Sequence, residues 1–139
     1  MFIEACQMIQ KYQKAERIFA PSNNIKNTYD NLEKFMIENF QIPDNDLKRI
    51  CQFIRKDNTL EKIIYDLPRL IQSEISYNRL QIKFYDEFQD DELVLEVTAF
   101  SSLNIENILK KEDELIHRLY ENYPEKSADK ILIFIEGII

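Results

Sequence analysis

Apolar residues recur at helical spacing through the first 79 residues of the chain, and at residue 80 the period shortens to that of a strand. Ala5, Met8, Tyr12, Ala15 and Phe19 form one stripe over residues 2–20, and Pro21-Ser22-Asn23-Asn24 supplies a turn. Asn27 or Thr28 is placed to cap a second helix, in which Tyr29, Leu32, Phe35, Met36 and Phe40 share a face. Pro43 and Asp44 mark the next boundary, and Leu47, Ile50, Cys51 and Ile54 form the seam of a third helix. A fourth opens at Asn58 or Thr59, with Leu60, Ile63, Ile64 and Leu67 facing inward. Pro68 lacks an N–H and crowds the carbonyl one turn earlier, so a kink or a new helix is expected there, carrying Leu70, Ile71 and Ile75 to about residue 77.

From residue 80, Leu80, Ile82 and Phe84 alternate with Gln81, Lys83 and Tyr85, and Leu93, Leu95, Val97 and Ala99 alternate with Val94, Glu96, Thr98 and Phe100. One antiparallel register pairs Phe84 with Leu95, Ile82 with Val97 and Lys83 with Glu96, which satisfies a buried face and an outward charge pair together. The connection, residues 86–92, has no glycine and is too long for a two-residue turn. Asn104 then caps the clearest helix, with Ile105, Ile108, Leu109, Leu115, Ile116, Leu119, Tyr120 and Tyr123 on one side and Pro124 beyond its end. Residues 131–136 are apolar at consecutive positions, the pattern of a strand covered on both faces or placed inside a sheet. The expected architecture is α+β in a single domain of 1–139: a helical half of four to five helices, 1–79, packed on a ββαβ half, 80–139, with a small three-stranded sheet.

The composition agrees with a folded core, since 45% of residues are hydrophobic and nine Phe and seven Tyr are present. No apolar run reaches the ~18 residues that span a bilayer, and the first residues lack the basic-then-apolar layout of a secretory signal, so a cytoplasmic location away from membranes is expected. Cys6 and Cys51 stand alone on helical segments, as half-buried or buried thiols rather than a zinc site or disulfide framework. The net charge of −7 is uneven. Residues 1–79 hold 12 Lys and Arg against 11 Asp and Glu, and residues 80–139 hold 6 against 14. The acidic second half repels nucleic acid and suits basic partners.

The only glycine is Gly137. Phosphate cradles, dinucleotide fingerprints and nucleophile elbows need glycine for close backbone approach or positive φ, so these mechanisms and their cofactors are excluded. The only histidine, His117, lies one turn after Asp113, a spacing more common in exposed helical pairs than in a general base. Asp86, Glu87, Asp90, Asp91 and Glu92 gather at the hairpin tip, a solvated loop that could also meet a metal ion or a basic protein. Lys48, Arg49, Arg55 and Lys56 line one side of the helix within 44–56, an ordinary solvated face or a phosphate-contacting one.

These features favour a non-catalytic protein-interaction module or subunit of a complex, without cofactor or metal, and a homodimer is one way to cover the edges of so small a sheet. Three alternatives stand beside it. One is an acidic neutraliser of a basic partner, in the manner of antitoxins, immunity proteins or phage inhibitors. Another is a metal-dependent hydrolase using the hairpin carboxylates. The last is DNA binding through the basic helix.

Overall fold

The structure is a computed structural model that describes residues 29–85 and 93–138. Residues 29–38 belong to one unit and residues 39–138 to the other. Helix α1, Asn31–Asn39, starts with a reciprocal cap: the Glu33 N–H donates to Asp30 Oδ1 at 2.9 Å and the Asp30 N–H to Glu33 Oε1 at 3.1 Å. Two orphan donors of a helix start are thereby satisfied by one pair of carboxylates. Leu32, Glu33 and Met36 are its buried residues.

In the second unit, the Asp46 N–H donates to the Pro43 carbonyl at 3.1 Å, closing a tight turn in which Asn45 takes φ of 71°. That value in the third position is a type II turn, and asparagine stands where glycine is the usual choice. Helix α2, Leu47–Arg55, buries Ile50, Cys51 and Ile54. Helix α3, Asn58–Gln72, buries Leu60, Ile63, Ile64, Leu67 and Ile71. It runs as one element through Pro68, so of the two expectations there, a kink or a new helix, the new helix does not form. The apolar face continues on both sides of the proline, and its burial outweighs the single missing hydrogen bond.

The sheet has the order β1-β2-β3, with β1 at Arg79–Phe84, β2 at Leu95–Ser101 and β3 at Ile131–Gly137. Strands β1 and β2 are antiparallel in the register expected from the alternation, with Ile82 opposite Val97, Lys83 opposite Glu96 and Phe84 opposite Leu95. Between β2 and β3 lie helix α4, Ile105–Asn122, and the short α5, Glu125–Ala128, so β3 returns parallel to β2. The α+β class and the ββαβ order are those expected.

One face of the sheet is the core: Leu80 and Ile82, then Leu95, Val97 and Ala99, then Ile131, Ile133 and Ile135 are all buried. Phe84 on this face meets Phe53 of α2 edge to face at 5.7 Å, and Ile108 of α4 approaches Gly137 at the far end. Strand β3 departs from expectation. It is an edge strand buried on alternate residues, with Phe134 37% exposed. The consecutive apolar run reflects a half-covered outer face rather than a central position.

Candidate interaction surface

Helix α4 divides into three strips. The Asn104 side chain caps it by accepting from the Asn107 N–H at 3.0 Å. Leu115 and Leu119, one turn apart, are its buried residues. One flank is polar and turned toward the end of α3: Arg118 Nη1 donates to Glu74 Oε2 at 2.6 Å and to Ser73 Oγ at 2.7 Å, and Lys111 Nζ reaches Glu74 Oε1 at 3.3 Å. The Arg118 hydrogen bond holds the Glu74 carboxyl below its ordinary range against the opposing effect of desolvation, and Lys111 adds to it. Tyr123, just past the helix, donates to Asp66 Oδ2 at 2.6 Å and completes the link to α3.

The opposite flank carries Ile105, Leu109, Glu112, Ile116 and Tyr120, which helical spacing sets in one row. Its apolar members are exposed: Ile105 by 74%, Leu109 by 62%, Tyr120 by 41% and Ile116 by 39%. The sequence pattern placed these four on the same side of the helix as Leu115 and Leu119. The apolar arc of α4 is too wide for the sheet edge to cover, and the excess faces outward.

Three contacts show what the helix runs beside. Tyr120 Oη donates to Asp129 Oδ1 at 2.5 Å, Glu112 Oε2 accepts from the Ile135 N–H at 2.7 Å, and Gly137 lies against Ile108. The helix therefore lies antiparallel to β3 along its whole length. The Ile135 N–H points away from β2, whereas the Lys130 carbonyl and the Ile138 N–H bond to β2 at Leu95 and Ser101. Backbone groups alternate along a strand, so those of Ile131 and Ile133 also point outward. Among the described residues, the Glu112 carboxylate makes the only hydrogen bond to that edge. The outer edge of β1 differs: the Gln41 N–H donates to the Leu80 carbonyl at 2.8 Å and the Ile82 N–H to the Gln41 carbonyl at 3.0 Å.

Carboxylates border the exposed flank. Glu106 and Asp113 are the next residues round the helix, Glu112 sits within the row, and Asp129 and Glu136 mark the two ends of β3, while Lys110 lies further round. A shallow open hollow lies on the polar flank, lined by Glu74, Asp113, Glu114, His117 and Arg118. His117 is largely exposed and pairs with Glu121 at 3.1 Å, not with Asp113 as the spacing suggested. Glu114, one turn from Arg118 in sequence, pairs instead with Lys111 at 3.2 Å.

A second polar centre is Asp57. Its Oδ1 caps α3 by accepting from the Thr59 and Leu60 N–H groups, and its Oδ2 accepts from Ser127 Oγ and Lys130 Nζ, both at 2.9 Å. Desolvation pushes this carboxyl upward, but the hydrogen bonds from Lys130, the Leu60 N–H and Ser127 together outweigh it and bring the pKa to about 2. The helix opens at Asn58, as the sequence pattern expected, and its cap is the residue just before.

Of the residues singled out from sequence, Asp86, Glu87, Asp90, Asp91 and Glu92 lie outside the described residues, as does Cys6. Cys51 is buried and in no disulfide. Lys48, Arg49, Arg55 and Lys56 are exposed on α2 and its C-cap, and Arg49 is engaged within the fold, 3.3 Å from Asp46 and stacked over Phe84 at 4.7 Å. No group of three or more His, Cys, Asp or Glu among the described residues is placed to hold a metal ion, and none of the described helices is long and apolar enough to cross a membrane. Comparison with protein-family models, curated proteins and solved structures finds no match to this chain.

Proposed function

We propose that the chain is a protein-interaction module that works through the exposed flank of α4 rather than through a chemical site. The observation that carries this reading is the row Ile105, Leu109, Ile116 and Tyr120, four large apolar side chains exposed together on one helix. Apolar surface in such a row favours a covering partner, at about 25 cal/mol for each Å² removed from water. The reading is also supported by the use of the main polar clusters: the Glu74 and Asp57 carboxylates are each bonded to cations that join two elements, and such bonds serve packing.

The test is affinity purification from the source cells with the wild-type chain and with the Leu109→Lys, Ile116→Lys double variant, followed by mass spectrometry. A protein retained by the wild type and lost with the variant is the expected result. Identical sets from both would overturn the assignment to this flank.

A second reading, the neutralisation of a basic partner, is favoured by the carboxylates Glu106, Glu112, Asp113, Asp129 and Glu136 around the same row. It predicts association that weakens steeply with added salt, and measured affinity that is indifferent to salt would remove it.

A further inference from the structure

Resting on the interaction reading, we infer that the partner on the exposed flank of α4 is a second copy of this chain, bound through the same flank about a two-fold axis with the two helices antiparallel. The row is symmetric about its own middle. Ile105 stands as far before the midpoint between Glu112 and Asp113 as Tyr120 stands after it, and the same holds for Leu109 and Ile116. A two-fold axis at that midpoint sets Ile105 against the partner's Tyr120 and Leu109 against the partner's Ile116. All four exposed apolar side chains are then covered at once.

Charge selects the orientation. Beside the row, on the side away from β3, lie Glu106, Lys110, Asp113 and His117, all exposed, and among the described residues the first three make no side-chain hydrogen bond or ion pair. A two-fold axis perpendicular to both helices brings like flanks together, so Lys110 faces the partner's Asp113 and Glu106 the partner's His117, each pair formed twice. A parallel pairing would set each of these residues against its own copy, lysine on lysine and aspartate on aspartate. The carboxylates on the β3 side leave the antiparallel seam free. Glu112 is turned back onto the Ile135 N–H at 2.7 Å, and Asp129 accepts from Tyr120 at 2.5 Å. Glu136 belongs to the outer face of the sheet, since Ile131, Ile133 and Ile135 take the core face. The seam, about 22 Å long, gives an interface near the lower end of the stable range.

Sedimentation equilibrium of the full chain between about 1 and 500 µM is the test. The wild type should dimerise with a Kd on the order of 10 µM. Leu109→Lys with Ile116→Lys should stay monomeric throughout, with an unchanged urea midpoint at the lowest concentration, since both positions are exposed. Lys110→Glu and Asp113→Lys, each alone, should weaken dimerisation about tenfold by setting like charges against one another. An equimolar mixture of these two single variants should associate as tightly as the wild type, because each then supplies the charge the other lacks. A dimer indifferent to both charge reversals, or one that survives Leu109→Lys with Ile116→Lys, overturns the inference. So does a wild-type chain that is monomeric at the highest concentration. In that last case, a protein retained by the wild type in affinity purification and lost with the double variant would keep the interaction reading, with a different partner on the flank.

Discussion

Lys130 Nζ lies 2.9 Å from the carboxylate of Asp57, so the residue that caps α3 also anchors the chain just ahead of β3. Asp57→Ala removes the cap and leaves Lys130 and Ser127 without their acceptor. It should destabilise the protein by about 2 to 3 kcal/mol. Asp57→Asn keeps a capping oxygen but loses the charge, and about 1 kcal/mol is expected. Urea unfolding of the three proteins checks the order, and an asparagine variant as unstable as the alanine one would show that the charge dominates.

Acid should weaken the fold through the same residue. The folded pKa of Asp57 is about 2, below its unfolded value of 3.8, and that of Glu74 is also lowered. The unfolded chain therefore takes up protons first as pH falls, and stability present above about pH 5 is lost progressively toward about pH 2. For Asp57 the loss is about 1 to 2 kcal/mol after allowance for its partial exposure. Denaturation midpoints across that range should fall less steeply in Asp57→Asn, and parallel curves would count against the assignment.

At alkaline pH the sign reverses. The Tyr123 phenol is pushed up to about 12, first by desolvation and then by its hydrogen bond to Asp66. Its contribution is fully present below about pH 10 and is lost as pH rises through the folded value. In an ultraviolet titration Tyr123→Phe should delete a late-titrating phenol, leaving Tyr120, also near 12 beside Asp129, as a second one. A spectrum that loses a phenol titrating near pH 10 contradicts this.

The Lys83 and Glu96 side chains face each other across β1 and β2 at 4.0 Å. Lys83→Glu should cost about 0.5 kcal/mol by placing like charges opposite one another, and the added change Glu96→Lys should recover most of it. Failure of the double exchange to recover stability would show that neighbours other than this pair set the cost.

Gly137 has no positive φ, and a Cβ there would sit 3.5 Å from Ile108 Cδ1, an ordinary contact. Gly137→Ala should therefore be neutral or stabilising by up to about 0.5 kcal/mol. A loss above about 1 kcal/mol would mean that the neighbouring Ile108 cannot yield.

The hairpin was legible because two independent requirements, the apolar alternation and the Lys83–Glu96 charge pair, selected one register. Asn104 was legible because the apolar period begins just after it. The polar centres were not. Asp57 meets Ser127 and Lys130 across 70 and 73 residues, and Glu74 meets Lys111 and Arg118 across 37 and 44, distances at which no local spacing carries a signal. The exposed flank of α4 was hidden for a different reason. A wide apolar arc reads as deep burial, and only the placement of β3 at the sheet edge shows that part of the arc has nothing above it.

The parallel pairing of β2 with β3 sets an order on assembly during synthesis. The β1–β2 hairpin can close as soon as residue 101 has emerged, but β2 then waits for some thirty further residues before its second neighbour exists. Through that interval the strand destined for the centre of the sheet has one edge open to foreign strands, and only the arrival of β3 closes it.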